Sequence, residues 1–223
     1  MGTAVALVVM LMISALGAAL VLNTSSETTI AANFRSASEG MYAADAAAEL
    51  AVDHLAAAPD WNPILEGVVQ SPYVDGPPAG VRTLPDGSVL DLGRTLNMLN
   101  CQKATLCSAS EMTAVTARRP WGANNPVWRL VVYGSLSSLL RSHGVHSDYY
   151  VIAVAADDPS ENDGNPLRDG DDETNPGGGV LELRAEAFGP SGSHQAIGMT
   201  VARQPPETGS TALRLLSWRT ATR

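Results

Sequence analysis

The densest run of chemically able side chains is "DDPSENDGNPLRDGDDETNP", residues 157–176. Between Asp157 and Glu173 it holds eight acids against one base, Arg168, and so supplies −7 of the chain's formal net charge of −9. Carboxylates and amides one to three residues apart, with Gly164 and Gly170 allowing sharp turns, are the donors a hard cation uses, and Ca²⁺ takes six to eight oxygens from such groups. Asp158, Glu161, Asp163, Asp169 and Asp171 are the candidate ligands for a structural Ca²⁺. The run lacks the twelve-residue spacing of an EF-hand. The other reading is a solvated acidic loop that holds no ion.

The cysteines are Cys101 and Cys107 in "CQKATLC". Their spacing is too wide for a redox CxxC pair, and no histidine stands near to complete a zinc site. A small-loop disulfide fits, and it places this part of the chain in an oxidising compartment; the alternative is two buried free thiols. His143 and His146 would share a metal only on a helix, and "RSHGVHSD" reads as a loop; His54 and His194 are remote from them in sequence. No GxSxG elbow, HExxH pair or phosphate loop is present, so catalysis is not expected. No basic patch invites nucleic acid. Trp61, Trp121, Trp128 and Trp218, with Tyr149 and Tyr150, read as sheet core or as an adhesive surface.

The elements that carry these residues begin with a long helix. Residues 4–22 hold no charge, and nineteen helical residues span roughly 28 Å, the thickness of a hydrocarbon core. A cleaved signal peptide would begin with basic residues, and an ordinary anchor would be flanked by Lys, Arg, Trp or Tyr; both features are missing. The helical rhythm continues past the apolar run. Ile30, Phe34, Ala37, Met41, Ala44, Ala48, Val52 and Leu55 recur at steps of three and four and trace one stripe, expected to face the core. Pro59 ends the helix near Ala58, giving about 55 residues and roughly 80 Å. Gly17 and residues 23–26 are its weak points.

Beyond Pro59 the chain turns to Pro- and Gly-rich loop text, then to a hairpin signal around Pro85-Asp86-Gly87. "LGRTLNMLN" predicts a short helix, and Ser108 with Glu111 predicts a capping box for a helical turn reaching about Ala117. Strand-like runs follow at 127–134, 148–156, 179–189, 194–203 and 213–219, with "GPSGS" as a tight loop. The expected fold is α+β, a long N-terminal helix packed on an antiparallel sheet of four or five strands. It divides into an apolar helix half (1–26), an amphipathic half laid on the head (27–58) and a β-rich head (59–223).

The stretch "TAVALVVMLMISALGAALVLNTSSETTIAANFRSASEGMYAADAAAELAVDHL" resembles the N-terminal region of PilX-type pilins in the type IV pilin and pseudopilin superfamily. The likeness covers residues 3–55 and includes the "AAN" and "YAADAA" elements as well as the apolar run. It implies export as a prepilin and removal of a short basic leader after a glycine. The mature chain then begins at Met1 or Thr3. It waits in the inner membrane with the pilus assembly machinery and later packs its apolar helix against itself or other pilins in an extracellular filament. Val5, Leu7, Val8, Leu11, Ile13, Leu16, Leu20 and Leu22 are the helix positions expected to make those contacts. Most pilins carry Glu as the fifth mature residue; Val5 or Leu7 stands there instead, a pattern more typical of minor, initiating or tip subunits. Two alternatives remain open: a minor or tip pseudopilin of a type II secretion-like system, and a membrane-anchored, periplasm-facing binding domain that never polymerises.

Overall fold

The structure, a computed structural model, describes residues 2–114, 124–161, 163–170, 177–204 and 213–221. It is an α+β fold. Helix α1 runs over Gly2–Ala57 without interruption. Two units are distinguished along the chain, Met1–Glu39 and Gly40–Arg223. The hydropathy of the helix changes near residue 26, but the boundary in packing falls thirteen residues later, at Glu39/Gly40.

In the first unit the polar residues after Leu22 do not break the helix, because they spend their hydrogen-bonding capacity on it. The Thr24 hydroxyl donates to the Leu20 carbonyl at 3.0 Å, and Thr28 and Thr29 donate to Ser25 at 2.8 and 3.0 Å. The Asn23 amide reaches Glu27 at 3.3 Å. Hydroxyls turned back in this way leave the backbone ladder in place. Gly17 likewise lies within the continuous helix.

In the second unit α1 presents a face of small residues. Gly40, Ala43, Ala44, Ala47, Ala48, Ala51 and Leu55 are buried, and the alanines let the helix lie close on a sheet. Gly40 is required by that approach, since a Cβ there would stand 2.8 Å from Gln195 Cγ. The stripe expected from Ile30 is corrected here. Ala44, Ala48 and Leu55 are buried and Met41 and Val52 half-buried, but Ala37, Ile30 (67% exposed) and Phe34 (74% exposed) are not covered. The reason is reach. The longest strand has ten residues, about 33 Å, a length matched by the roughly 27 Å of helix from Gly40 to its end. The amphipathic half therefore packs on the head from residue 40, not from residue 27.

The helix stops before Pro59, and its last carbonyls are taken up by neighbours. Trp61, fully buried, donates from Nε1 to the Leu55 carbonyl at 3.0 Å. Arg203 donates to the Pro59 carbonyl at 2.6 Å, with its guanidinium 4.1 Å from the centre of the Trp61 ring. A cation at a helix C-terminus also meets the negative end of the macrodipole favourably.

A five-stranded antiparallel sheet follows: β3 (Arg129–Ser135), β4 (Tyr150–Asp157), β5 (Val180–Phe188), β6 (His194–Arg203) and β7 (Leu213–Thr220), each beside its sequence neighbours. Alternation sorts the two faces. Val151, Ala153 and Ala155 of β4, Leu181, Leu183, Ala185 and Ala187 of β5, and Ile197, Met199 and Val201 of β6 meet α1 in one core. Tyr150 and Ile152 lie in a second cluster with Tyr133, Leu84, Leu90 and Leu92. The last three belong to a hairpin, β1 (Val81–Thr83) and β2 (Val89–Asp91), and to helix α3 (Leu92–Cys101). The short helix α2 (Asn62–Leu65) lies between α1 and that hairpin in sequence. The hairpin turn is the expected Pro85-Asp86-Gly87, with Gly87 at φ +82° and Leu84 donating to Ser88 at 2.8 Å. Residues 73–75 run along the free edge of β3: the Tyr133 amide donates to Tyr73 and its carbonyl accepts from Asp75, both at 3.1 Å.

The capping box at Ser108 and Glu111 is formed, and helix α4 spans Ala109–Thr113. The expected continuation towards Ala117 lies outside the described residues, as does Trp121. Among the other aromatics, Trp61, Tyr149 and Tyr150 are buried, Trp128 is half-buried and Trp218 is 45% exposed, donating to Asp45 at 3.2 Å.

One buried ion pair on the sheet gives a measurable consequence. Glu186 on β5 is 5% exposed and accepts from Arg184 at 2.6 Å, with His194 at 2.8 Å. Burial alone would raise its carboxyl, but the His194 hydrogen bond and the Arg184 guanidinium outweigh that and hold it below the ordinary glutamate range. A depressed carboxyl contributes stability above its unfolded pKa and loses it as pH falls through the folded value. Glu186→Gln leaves the half-buried Arg184 without its counter-ion, and about 3 kcal/mol of unfolding free energy is expected to be lost at pH 7 by urea titration. A loss below about 0.5 kcal/mol would show that the pair is dispensable.

Candidate assembly helix and acidic loop

The apolar part of α1 is exposed on every side within the chain. Val5, Leu7, Val8, Leu11, Ile13, Leu16, Leu20 and Leu22 lie between 55% (Val8) and 72% (Leu11) exposed. An 18-residue window of the helix has a mean hydropathy of 2.8, so by length and composition it can cross a membrane. A helix apolar all round has no stable surface in water and is covered by lipid or by other apolar helices.

The acidic loop begins where β4 ends. Asp157 and Glu161 are 4% and 1% exposed, Asp163 is exposed, and one carboxylate oxygen from each lies within 4.8 Å of the others. Glu161 is held on several sides. Its Oε1 accepts from the Gly170 amide at 2.5 Å, its main-chain carbonyl accepts from the Asn124 amide, and its own amide donates to Asp158 at 3.1 Å. Gly177 passes so close that a Cβ there would fall 2.8 Å from Glu161 Cβ, a contact only glycine tolerates. Arg168 anchors the outer part of the loop on Glu66 at 2.9 Å. Asp169 donates its amide to Asn62 Oδ1 at 2.8 Å and accepts from Gly179 at 2.6 Å.

The grouping differs from the one the sequence predicts. Glu161 and Asp163 come together, but with Asp157 in place of Asp158. The Asp158 carboxylate is taken by the amide and hydroxyl of Ser160, at 3.0 and 2.7 Å, in a local turn. Asp169 closes the loop against Gly179, and Asp171 lies outside the described residues. Asp157 was missed because the strand predicted from the sequence stops at residue 156; the strand runs on through Asp157, and its register opposite Leu181 turns it inward. Burial, and then the hydrogen bond and charge of Glu161, push the Asp157 carboxyl up to about 9. At neutral pH Asp157 therefore keeps its proton, since a second charge this close to another carboxylate is costly. Three carboxylates also supply three of the six to eight oxygens that Ca²⁺ takes, so Asp157, Glu161 and Asp163 are the residues that would hold a cation there.

Cys101, at the end of α3, is joined to Cys107 with Cα atoms 6.1 Å apart. The link closes a loop of six residues' separation, for which chain entropy gives about 2 kcal/mol. The Lys103–Glu111 ion pair ties this loop to α4. His143 closes a 3₁₀ turn (Arg141–His143), Gly144 follows at φ +67°, and both His143 and His146 are exposed, the loop arrangement their sequence predicts.

Compared with family models, curated proteins and solved structures, the chain has no match in any of the three.

Proposed function

We propose that this chain is a structural subunit, major or minor, of a type IV pilus-like extracellular filament, assembled by packing its apolar N-terminal helices. The observation that carries the reading is the exposure of every large apolar side chain from Val5 to Leu22 on a helix whose continuation is packed on a disulfide-bearing head. The resemblance of residues 3–55 to pilin N-termini supports it.

The energetics agree in scale. Helix-to-helix packing in a permanent assembly buries on the order of 1,000 Å² or more per subunit. At about 25 cal/mol per Å² this is roughly 25 kcal/mol of gross stabilisation relative to water, from which the cost of association is subtracted. The helix is also apolar enough to be stored in a membrane before assembly, so the subunit has two successive apolar surroundings. Partners under this reading are further copies, other pilins and the inner-membrane assembly machinery, and the assembled chain is extracellular.

Negative-stain electron microscopy of material sheared from producing cells, with mass spectrometry of the fibres, tests the reading. Fibres containing this chain are expected. Recovery of the chain only as detergent-soluble monomers rejects it and favours the anchored binding domain.

A further inference from the structure

In a packed bundle of these helices one side chain is out of place. From Gly2 to Phe34 the only ionisable side chain is Glu27. Its neighbours on the helix do little to neutralise it: the Asn23 amide donates to it, while the hydroxyls of Thr24, Thr28 and Thr29 donate to the backbone. A carboxylate brought into apolar surroundings needs a counter-charge.

Only one cationic side chain is available on this part of the chain. Arg35 is the sole Lys or Arg before Arg82. It lies eight residues from Glu27, about 12 Å along the axis, whereas side chains of one helix meet only at three or four residues' separation. Arg35 cannot serve the Glu27 of its own helix. It donates from Nε to Glu39 at 2.7 Å and its side chain is 80% exposed, so the two terminal amino groups of the guanidinium face solvent. Ile30 and Phe34, both exposed, stand between the two charges, with Glu27, Ile30 and Phe34 on one face at spacings of three and four.

We propose that parallel copies of this helix pack with an axial offset of two turns, about 12 Å, which sets Glu27 of one copy against the terminal amino groups of Arg35 in the next. The occupant of this helix face is a second copy of the chain, chosen by charge complementarity, and Ile30 and Phe34 are covered in the same contact. The inference rests on the filament reading and assigns the register within it.

Charge reversal tests it. Glu27→Arg and Arg35→Glu are each expected to lower the yield of sheared fibres by about tenfold or more, at unchanged amounts of chain in the membrane. The double variant Glu27→Arg/Arg35→Glu is expected to recover at least about half of the wild-type yield. Glu39→Gln removes the intrahelical partner of Arg35 and is expected to leave the yield unchanged. Helical reconstruction of wild-type fibres is expected to show contacting helices offset by about 12 Å. Normal yield from the single reversals, no recovery in the double variant, or a Glu39→Gln loss equal to that of Arg35→Glu overturns the register while wild-type fibres still stand. Absence of wild-type fibres instead removes the filament reading beneath it.

Discussion

Leu11→Asp is expected to reduce fibre yield per membrane-resident chain by more than about a hundredfold. Leu11 is 72% exposed in the single chain, near the middle of the apolar run, and packing of neighbouring helices would bury it. An isolated carboxylate in such a contact costs several kcal/mol after relaxation, and about 3 kcal/mol already exceeds a hundredfold in an association constant. The same substitution costs about 2.5–3.5 kcal/mol at the centre of a membrane span, which lowers insertion too. Normalising fibre to membrane-resident chain separates the two effects. Leu106→Asp serves as the comparison: Leu106 is 86% exposed in the disulfide loop and outside the helix, and its variant is expected to assemble normally. Equal yields from the two aspartates would mean that the apolar run is not an interface.

The second large effect concerns pH. Asp157 titrates near 9 in the folded head because it is buried beside Glu161, whereas in the unfolded chain it ionises in the ordinary aspartate range. Between those values the folded state holds a proton that the unfolded state has lost, so unfolding free energy falls as pH rises through the window. The direction is opposite to that of Glu186, whose depressed carboxyl makes acid the destabilising condition. Asp157→Asn puts a permanent amide donor where the proton sits. Relative to wild type the variant is expected to gain stability steadily as pH rises from 5 to 8, by at most about 4 kcal/mol over the three pH units. Urea unfolding at the two pH values, with a chelator present, reads the proton linkage alone. Identical pH dependence in the two proteins would show that Asp157 ionises freely in the fold.

Much of the architecture was legible because its signals are local. The three- and four-residue rhythm of α1, the stop at Pro59, the Pro85-Asp86-Gly87 turn and the Ser108–Glu111 capping box each depend on a few adjacent residues. The structure reproduces them all, with strand ends within two residues of expectation. What was not legible depends on distance. Periodicity locates a face on a helix but not how far a sheet extends beneath it, so Ile30 and Phe34 were assigned to a core that starts only at Gly40. Composition marked the acidic loop but not which carboxylates turn inward. That choice belongs to the register of β4 on β5 and to the turn that occupies Asp158 with Ser160. Trp61 and Trp218 look alike in sequence, yet one is sealed beneath Arg203 and the other lies on an edge strand.

The central claim is that residues 4–22 lie against the same residues of other copies. Cross-linking of a Leu11→Cys variant in sheared surface material with a short bismaleimide tests it most directly, because the described chain has no free cysteine to compete. A ladder of covalent dimers and higher multimers is expected, at a yield well above that of Val68→Cys on the exposed head. Leu11→Cys chains that stay monomeric in fibres, or that label with a water-soluble maleimide as readily as Val68→Cys, would contradict the account.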